Sequence, residues 1–126
     1  MIELQGVKKR FGNRQILDGM SLTVPQGMNY VLMGPSGSGK SVTLRHVIGI
    51  VKPDEGSVRV SGQEVPTMDR EQLMALRRRM GYLFQNGALI NWLTVAQNVA
   101  LPLQEHSELS RSEVQDRVQD VLRMVG

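Results

Sequence analysis

Residues 34 to 41 read GPSGSGKS, and no other stretch of this chain limits its fold as strongly. Gly34-Pro35-Ser36-Gly37-Ser38-Gly39-Lys40-Ser41 fits G-x-x-x-x-G-K-[ST], the spacing of a phosphate-binding loop. Glycines let the backbone bend through conformations closed to other residues and bring N–H groups against phosphate oxygens. A helix that follows points its positive end at the same anion. Lys40 supplies a point charge for the β- and γ-phosphates. Ser41 offers a hydroxyl to Mg²⁺, a hard ion that takes oxygen ligands. Such a loop needs a strand before it and a helix after it. Met28 to Met33, MNYVLM, is an apolar run suited to a strand buried on both faces. Leu44, Val47, Ile48 and Val51 follow at i, i+3, i+4 and i+7, one helical stripe, with Pro53 as its stop. The competing reading is a glycine-rich turn with a chance lysine. At ordinary residue frequencies the full pattern arises by chance on the order of 10⁻⁵ per position. Nucleotide phosphate binding is therefore expected.

The remaining segments supply an α/β context. Ile2 to Val7 alternates loosely, Gly12-Asn13 reads as a turn, and Gln15 to Val24 reads as a second extended stretch interrupted at Asp18-Gly19. Antiparallel pairing of the two is expected. Ser57 to Val65 reads as strand, turn at Ser61-Gly62, and return. Met68 to Arg79 is a helix candidate, with Asp69 and Glu71 in its first turn and Arg77, Arg78 and Arg79 in its last, matching the helix dipole. Met80 to Phe84 reads as a second short buried strand. Residues 86 to 93, NGALINWL, form a loop of unusual apolar content. Thr94 to Leu101 reads as a short helix ending at Pro102. Ser110 and Glu113 make a capping box, ahead of an apolar stripe of Val114, Val118, Val121, Leu122 and Val125. The expected division is an antiparallel β portion over 1–27, a phosphate-loop core over 28–85 and a helical region over 86–126.

Composition removes several function classes. A chain of 126 residues with 40% apolar content can build one real core. It has no cysteine, so disulfides and thiolate metal sites are excluded. The net charge of +3 is spread out, which disfavours a nucleic-acid partner. No apolar run approaches the roughly 20 residues of a membrane-spanning helix. Service to a membrane would run through a partner, from the cytoplasmic side. His46 and His106 have no second ligand nearby in sequence and read as surface or packing residues.

The ordered set of motifs resembles the ATP-binding subunit of ABC transporters. VKKRFG resembles the A-loop, with Phe11 in the place of the aromatic that stacks on adenine. ILDGMSLTVPQG resembles the segment leading to the phosphate-loop strand, and GPSGSGKS the Walker A motif. LRHVIGIVKPDEGSVRVSG resembles the stretch into the next hairpin. MGYLFQ resembles the strand ending in the Q-loop, with Gln85 as its glutamine. LTVAQNVALPL resembles the start of the helical subdomain. The resemblance implies a P-loop NTPase fold of ABC ATPase type, with ATP and Mg²⁺ as ligands. It implies that Gln85 contacts Mg²⁺ or the attacking water and relays nucleotide state. Leu89, Ile90 and Trp92 would meet a transmembrane permease subunit, and a second ATP-binding subunit would complete a homodimer. The location implied is cytoplasmic, peripheral on the inner face of the cell membrane. LFQNGALINWLTVAQNVALPLQEH is further similar to the Mla, or organic-solvent-resistance, group, which handles phospholipids.

Other family motifs are not found in these residues. There is no Leu-Ser-Gly-Gly-Gln signature, no apolar run ending in Asp-Glu for Walker B, and no switch histidine after a buried strand. The resemblance thus covers the N-terminal half of such a domain, and hydrolysis at background rates is expected of this stretch alone. A catalytically incomplete nucleotide-binding remnant and a P-loop small-molecule kinase are the alternatives. Gln85 and the apolar segment after it argue against the kinase.

Overall fold

The computed structural model describes residues 1–85 and 87–126. They form two compact units, Met1–Gly81 and Tyr82–Gly126. The first is built on a four-stranded antiparallel sheet in the order β2-β1-β3-β4. Its strands are β1 (Ile2–Phe11), β2 (Arg14–Val24), β3 (Glu55–Val60) and β4 (Gln63–Glu64). The first hairpin pairs Ile2 with Val24 at its open end and Phe11 with Arg14 at its tip, around Gly12-Asn13. Asp18-Gly19 bends β2 without ending it. Leu4 and Val7 are both buried although they lie three residues apart. A register shift between them inserts the extra residue, which explains why the alternation in sequence is loose. The β3–β4 turn has Ser61 at φ 51° and Gly62 at φ 79°, both left-handed as a two-residue hairpin prefers.

Helices α1 (Lys40–Val47) and α2 (Arg70–Arg78) complete this unit, with a 3-10 turn at Val65–Thr67. Leu4, Val7, Leu17, Val47, Val58, Val60, Val65 and Leu76 form one core, drawn from sheet, turn and both helices. Helix α1 ends earlier than Pro53 requires. Gly49 adopts φ 67°, and the amides of Gly49 and Ile50 bond back to the carbonyls of His46 and Arg45 at 3.0 and 2.9 Å. This is a Schellman closure, which satisfies the last carbonyls and stops the helix. Leu44, placed on the buried stripe by periodicity, is half exposed. Helix α2 starts at a capping box made by Asp69 and Gln72. Arg77 lies in the last turn of its own helix, as expected, and also reaches the end of α1. Its Nε donates to the Ile48 carbonyl at 3.0 Å and its Nη2 to the Gly49 carbonyl at 3.1 Å.

Two expected strands are absent from the described residues. Met28–Met33 and Met80–Phe84 are not strands. Met28, Val31, Met33 and Leu83 are largely exposed. A strand buried on both faces needs neighbours to pair its backbone, and among the described residues no strand lies beside these segments.

His46 lies inside the first unit, 1% exposed. Its Nδ1 lies 2.7 Å from the Val42 carbonyl, so Nδ1 carries the proton, and Nε2 is buried without a partner. Burial lowers its pKa from the ordinary 6.5, with Lys9 adding to the effect against the Val42 carbonyl and Asp54. Protonation would place a buried N–H with no acceptor at Nε2. The unfolded chain binds the proton more readily, so stability is full above pH 6.5 and is lost as pH falls through the lowered native value. The thermal midpoint is expected to drop between pH 7.5 and 5, and His46→Met to flatten that slope. A slope unchanged in the variant would assign the acid sensitivity to other groups.

The second unit contains α3 (Val95–His106) and α4 (Arg111–Val125), packed on each other. Thr94 with Gln97 and Ser110 with Glu113 form capping boxes at their starts. Helix α3 continues past Pro102 rather than ending there. Pro102 cannot donate to the Asn98 carbonyl, yet its capped first turn is already formed and the helix carries one missing bond. Val114 and Val118 are buried, while Val121 and Val125 of the same stripe are exposed. Among the described residues no helix is long and apolar enough to cross a membrane.

Candidate functional site

The loop after residue 33 runs directly into α1, whose first residue is Lys40. Helix geometry leaves the first amides of any helix without intrahelical acceptors. In α2, α3 and α4 a side chain from the N-cap position closes that end. Helix α1 is different. Its N-cap is Gly39, at φ 92° and ψ 0°, and no side chain caps it. Its leading N–H groups, at the positive end of the helix dipole, meet no capping side chain.

Glycine at position 39 is required by contact as well as by conformation. A Cβ there would lie 2.6 Å from Leu17 Cδ2 and 3.1 Å from the Ile16 carbonyl oxygen. Gly39 is buried against β2, while Gly34 to Ser38 are exposed. The Thr43 hydroxyl fixes the helix start from inside, donating to the Gly39 carbonyl at 3.0 Å. The loop is therefore anchored beneath and open above.

Lys40 Nζ donates to the carbonyls of Gly34 and Pro35, both at 2.7 Å, and lies 3.4 Å from Ser38 Oγ. The ammonium is thus held inside the loop, beside the open amides. Ser41 is exposed one residue into the helix. A free hydroxyl there suits one coordination position of Mg²⁺, which keeps several waters. Among the described residues no cluster of three or more His, Asp or Glu side chains could hold a metal by itself.

Phe11 ends β1, 47% exposed, with Lys9 Nζ 5.5 Å from its ring centroid. Lys9 is anchored in turn on Asp54 Oδ1 at 2.7 Å, and Asp54 Oδ2 accepts from the Arg10 amide at 2.7 Å. The Lys9 ammonium, first, and the Arg10 amide hold the Asp54 carboxyl below its usual pKa. Gln85 belongs to the second unit, exposed in a turn next to Phe84. Leu89 and Trp92 are 66% and 85% exposed and Ile90 is half-buried. The loop carrying these three begins at residue 86, which lies outside the described residues.

Sequence reasoning passed over two residues here. Asn98 organises the apolar loop from α3. Its Oδ1 accepts from the Ile90 amide at 2.8 Å, and its Nδ2 faces the carbonyls of Ile90, Leu93 and Thr94 at 3.0–3.2 Å. Asn98→Ala is expected to raise hydrogen exchange at the Ile90 amide by about tenfold or more, the equivalent of one lost hydrogen bond. Unchanged protection would show the loop to be held by other contacts. The second residue is Arg14, at the hairpin tip opposite Phe11. In sequence neither carries a motif; the fold gives Asn98 its partners and sets Arg14 beside Gly37.

The arrangement matches known proteins. The ABC transporter family profile covers residues 17–126. The chain is 41% identical over 126 residues to the intermembrane phospholipid transport ATP-binding protein MlaF of Escherichia coli, spanning 47% of that protein. It is 40% identical over 125 residues to the probable ribonucleotide transport ATP-binding protein Mkl of Mycobacterium tuberculosis, spanning 35% of it. The chain thus spans about a third to a half of the length of these curated relatives. Its fold overlays a dimeric bacterial ABC transporter cassette with a TM-score of 0.88 at 34% identity, covering 98% of this chain and 56% of that one. The same cassette in a dimeric post-hydrolysis state with ADP and Pi gives 0.87. An α/β fold with an antiparallel portion ahead of a glycine-rich loop and an uncapped helix, matched over residues 17–126 by the family profile, places this chain in the ABC transporter family.

Proposed function

We propose that residues 34–41 bind the phosphates of ATP, and that in the full-length protein this binding and subsequent hydrolysis drive transport. The observation that carries the reading is the uncapped α1, beside an ammonium already held within the loop. The exposed loop amides and Lys40 receive the phosphates, Ser41 offers its hydroxyl to Mg²⁺, and Phe11 provides an aromatic surface for adenine. Gln85 contributes to placing the metal or water, as the Q-loop resemblance implies. Two copies would close on ATP, and the exposed Leu89 and Trp92, with Ile90, would meet a permease subunit at the inner face of the membrane.

The transported substrate is proposed to be phospholipid or another hydrophobic molecule. Support comes from the GALINWLTVAQNVALPLQEH segment and from MlaF at 41% identity over the whole chain. Turnover by the full-length protein with its membrane subunits should then respond to phospholipid and not to ribonucleotides. The stretch 1–126 by itself is proposed to bind nucleotide and hydrolyse it only at background rates.

Displacement of a fluorescent ATP analogue from this chain tests the binding reading. Inorganic tripolyphosphate, which has no base, is expected to displace the analogue, and adenosine to do so far more weakly. Displacement by adenosine alone would move the site away from the loop.

A further inference from the structure

The strands carry five cationic side chains, Lys8, Lys9, Arg10, Arg14 and Arg59. Four have partners. Lys8 meets Glu55 at 2.8 Å, Lys9 meets Asp54 at 2.7 Å and Arg59 meets Glu64 at 3.0 Å. Arg10 Nε donates to Gln15 Oε1 at 3.1 Å. Arg14 alone forms no ion pair or side-chain hydrogen bond among the described residues, and it is exposed. Its guanidinium nevertheless has a defined location. A Cβ placed on Gly37, in the middle of the phosphate loop, would lie 3.5 Å from Arg14 Nη2.

Two features bring it there. The tight turn at Gly12-Asn13 sets Arg14 directly across from Phe11. Two residues further along β2, Ile16 and Leu17 lie under Gly39, so the strand that carries Arg14 also supports the loop. An unpaired guanidinium against an anion-binding loop has five donors and no acceptor, and its planar fork matches phosphate oxygens. Its strand partner is Phe11, the surface proposed for adenine, and its Nη2 neighbours Gly37 of the loop. A Cβ at position 37 would make ordinary van der Waals contact with it, so the guanidinium lies directly against the loop.

We propose that Arg14 binds the phosphate chain of the nucleotide from the hairpin side, as a second cation of the site beside Lys40. This rests on the nucleotide reading above and adds a contact to it. Arg14 then makes the site favour polyphosphates over nucleosides, independently of the base.

The test is displacement of the fluorescent ATP analogue by ATP, tripolyphosphate and adenosine in the wild-type chain, Arg14→Ala, Arg14→Gln and Lys40→Ala. Removal of one charge-assisted contact is expected to weaken ATP and tripolyphosphate alike, by about tenfold. Adenosine should be unaffected, and the salt dependence of ATP binding should become shallower. Arg14→Gln should behave as Arg14→Ala, with thermal midpoints close to wild type because the residue is exposed. If ATP weakens while tripolyphosphate does not, Arg14 acts on base or ribose and the proposal is overturned. If both Arg14 variants bind ATP normally while Lys40→Ala does not, the proposal is wrong and the loop assignment stands. If Lys40→Ala also binds normally, the phosphate site itself has been misplaced.

Discussion

Replacing Lys40 with alanine is expected to lower ATP affinity by about a hundredfold or more. A hydrogen bond to a charged group contributes about 1.5–3 kcal/mol, and lysine can direct more than one donor at phosphate oxygens. A loss of about 3 kcal/mol corresponds to a little over a hundredfold in Kd. The same substitution removes the bonds to the Gly34 and Pro35 carbonyls, so a second effect competes for the explanation. Those residues are exposed, however, and water replaces the lost donor at little cost. The loss of charge therefore dominates. Two thermal scans separate the effects. Without nucleotide the variant should melt within a few degrees of wild type. With ATP at about a hundred times the wild-type Kd, the wild type gains about 2.7 kcal/mol and the variant should gain far less. Lys40→Arg should not restore binding, since a fork on a longer stem does not place its charge where an ammonium sits. Full ATP affinity in Lys40→Ala would remove the basis for a phosphate site.

What the sequence made legible was local chemistry. The capping box at Ser110, the turns at Gly12-Asn13 and Ser61-Gly62, and the glycine-rich loop running into α1 each depend on residues within a few positions of one another. Their physics is complete in a short window. The misreadings depend on distant partners. MNYVLM has the composition of a buried strand, but composition cannot supply the neighbouring strand that buries it. The arginine run looked complete within its own helix, because nothing near Arg77 in sequence reveals the carbonyls of Ile48 and Gly49. Arg14 was invisible for the same reason, its neighbour Gly37 lying in a loop 23 positions away. Even the site divides on these lines. Loop residues 34–41 announce themselves, whereas the missing side-chain cap on α1 gains meaning only beside three helices that have one.

Gly49→Ala should be among the most destabilising single-atom additions in the first unit. Alanine at φ 67° is strained by about 1–2 kcal/mol. Its Cβ would also stand 2.5 Å from Leu73 Cδ1 and 3.1 Å from Val65 Cγ1, and overpacking of this kind costs about 1–3 kcal/mol. Leu73 ends in a flexible side chain and can yield; the backbone of the Schellman turn cannot without releasing the carbonyls of Arg45 and His46. A total of about 2–5 kcal/mol is a large share of the roughly 5–15 kcal/mol that holds a domain together, and should lower the thermal midpoint by about 10 °C or more. Combining Gly49→Ala with Leu73→Ala divides the two causes. If the clash dominates, the pair loses less than the sum of the singles by about 1 kcal/mol or more. If the backbone dominates, the losses add. The consequences reach the site, because the Gly49 carbonyl is also where Arg77 ties α2 to the end of the helix whose other end is the phosphate loop. A midpoint within about 2 °C of wild type would mean that the turn relaxes freely, and that this end of α1 is not firmly fixed.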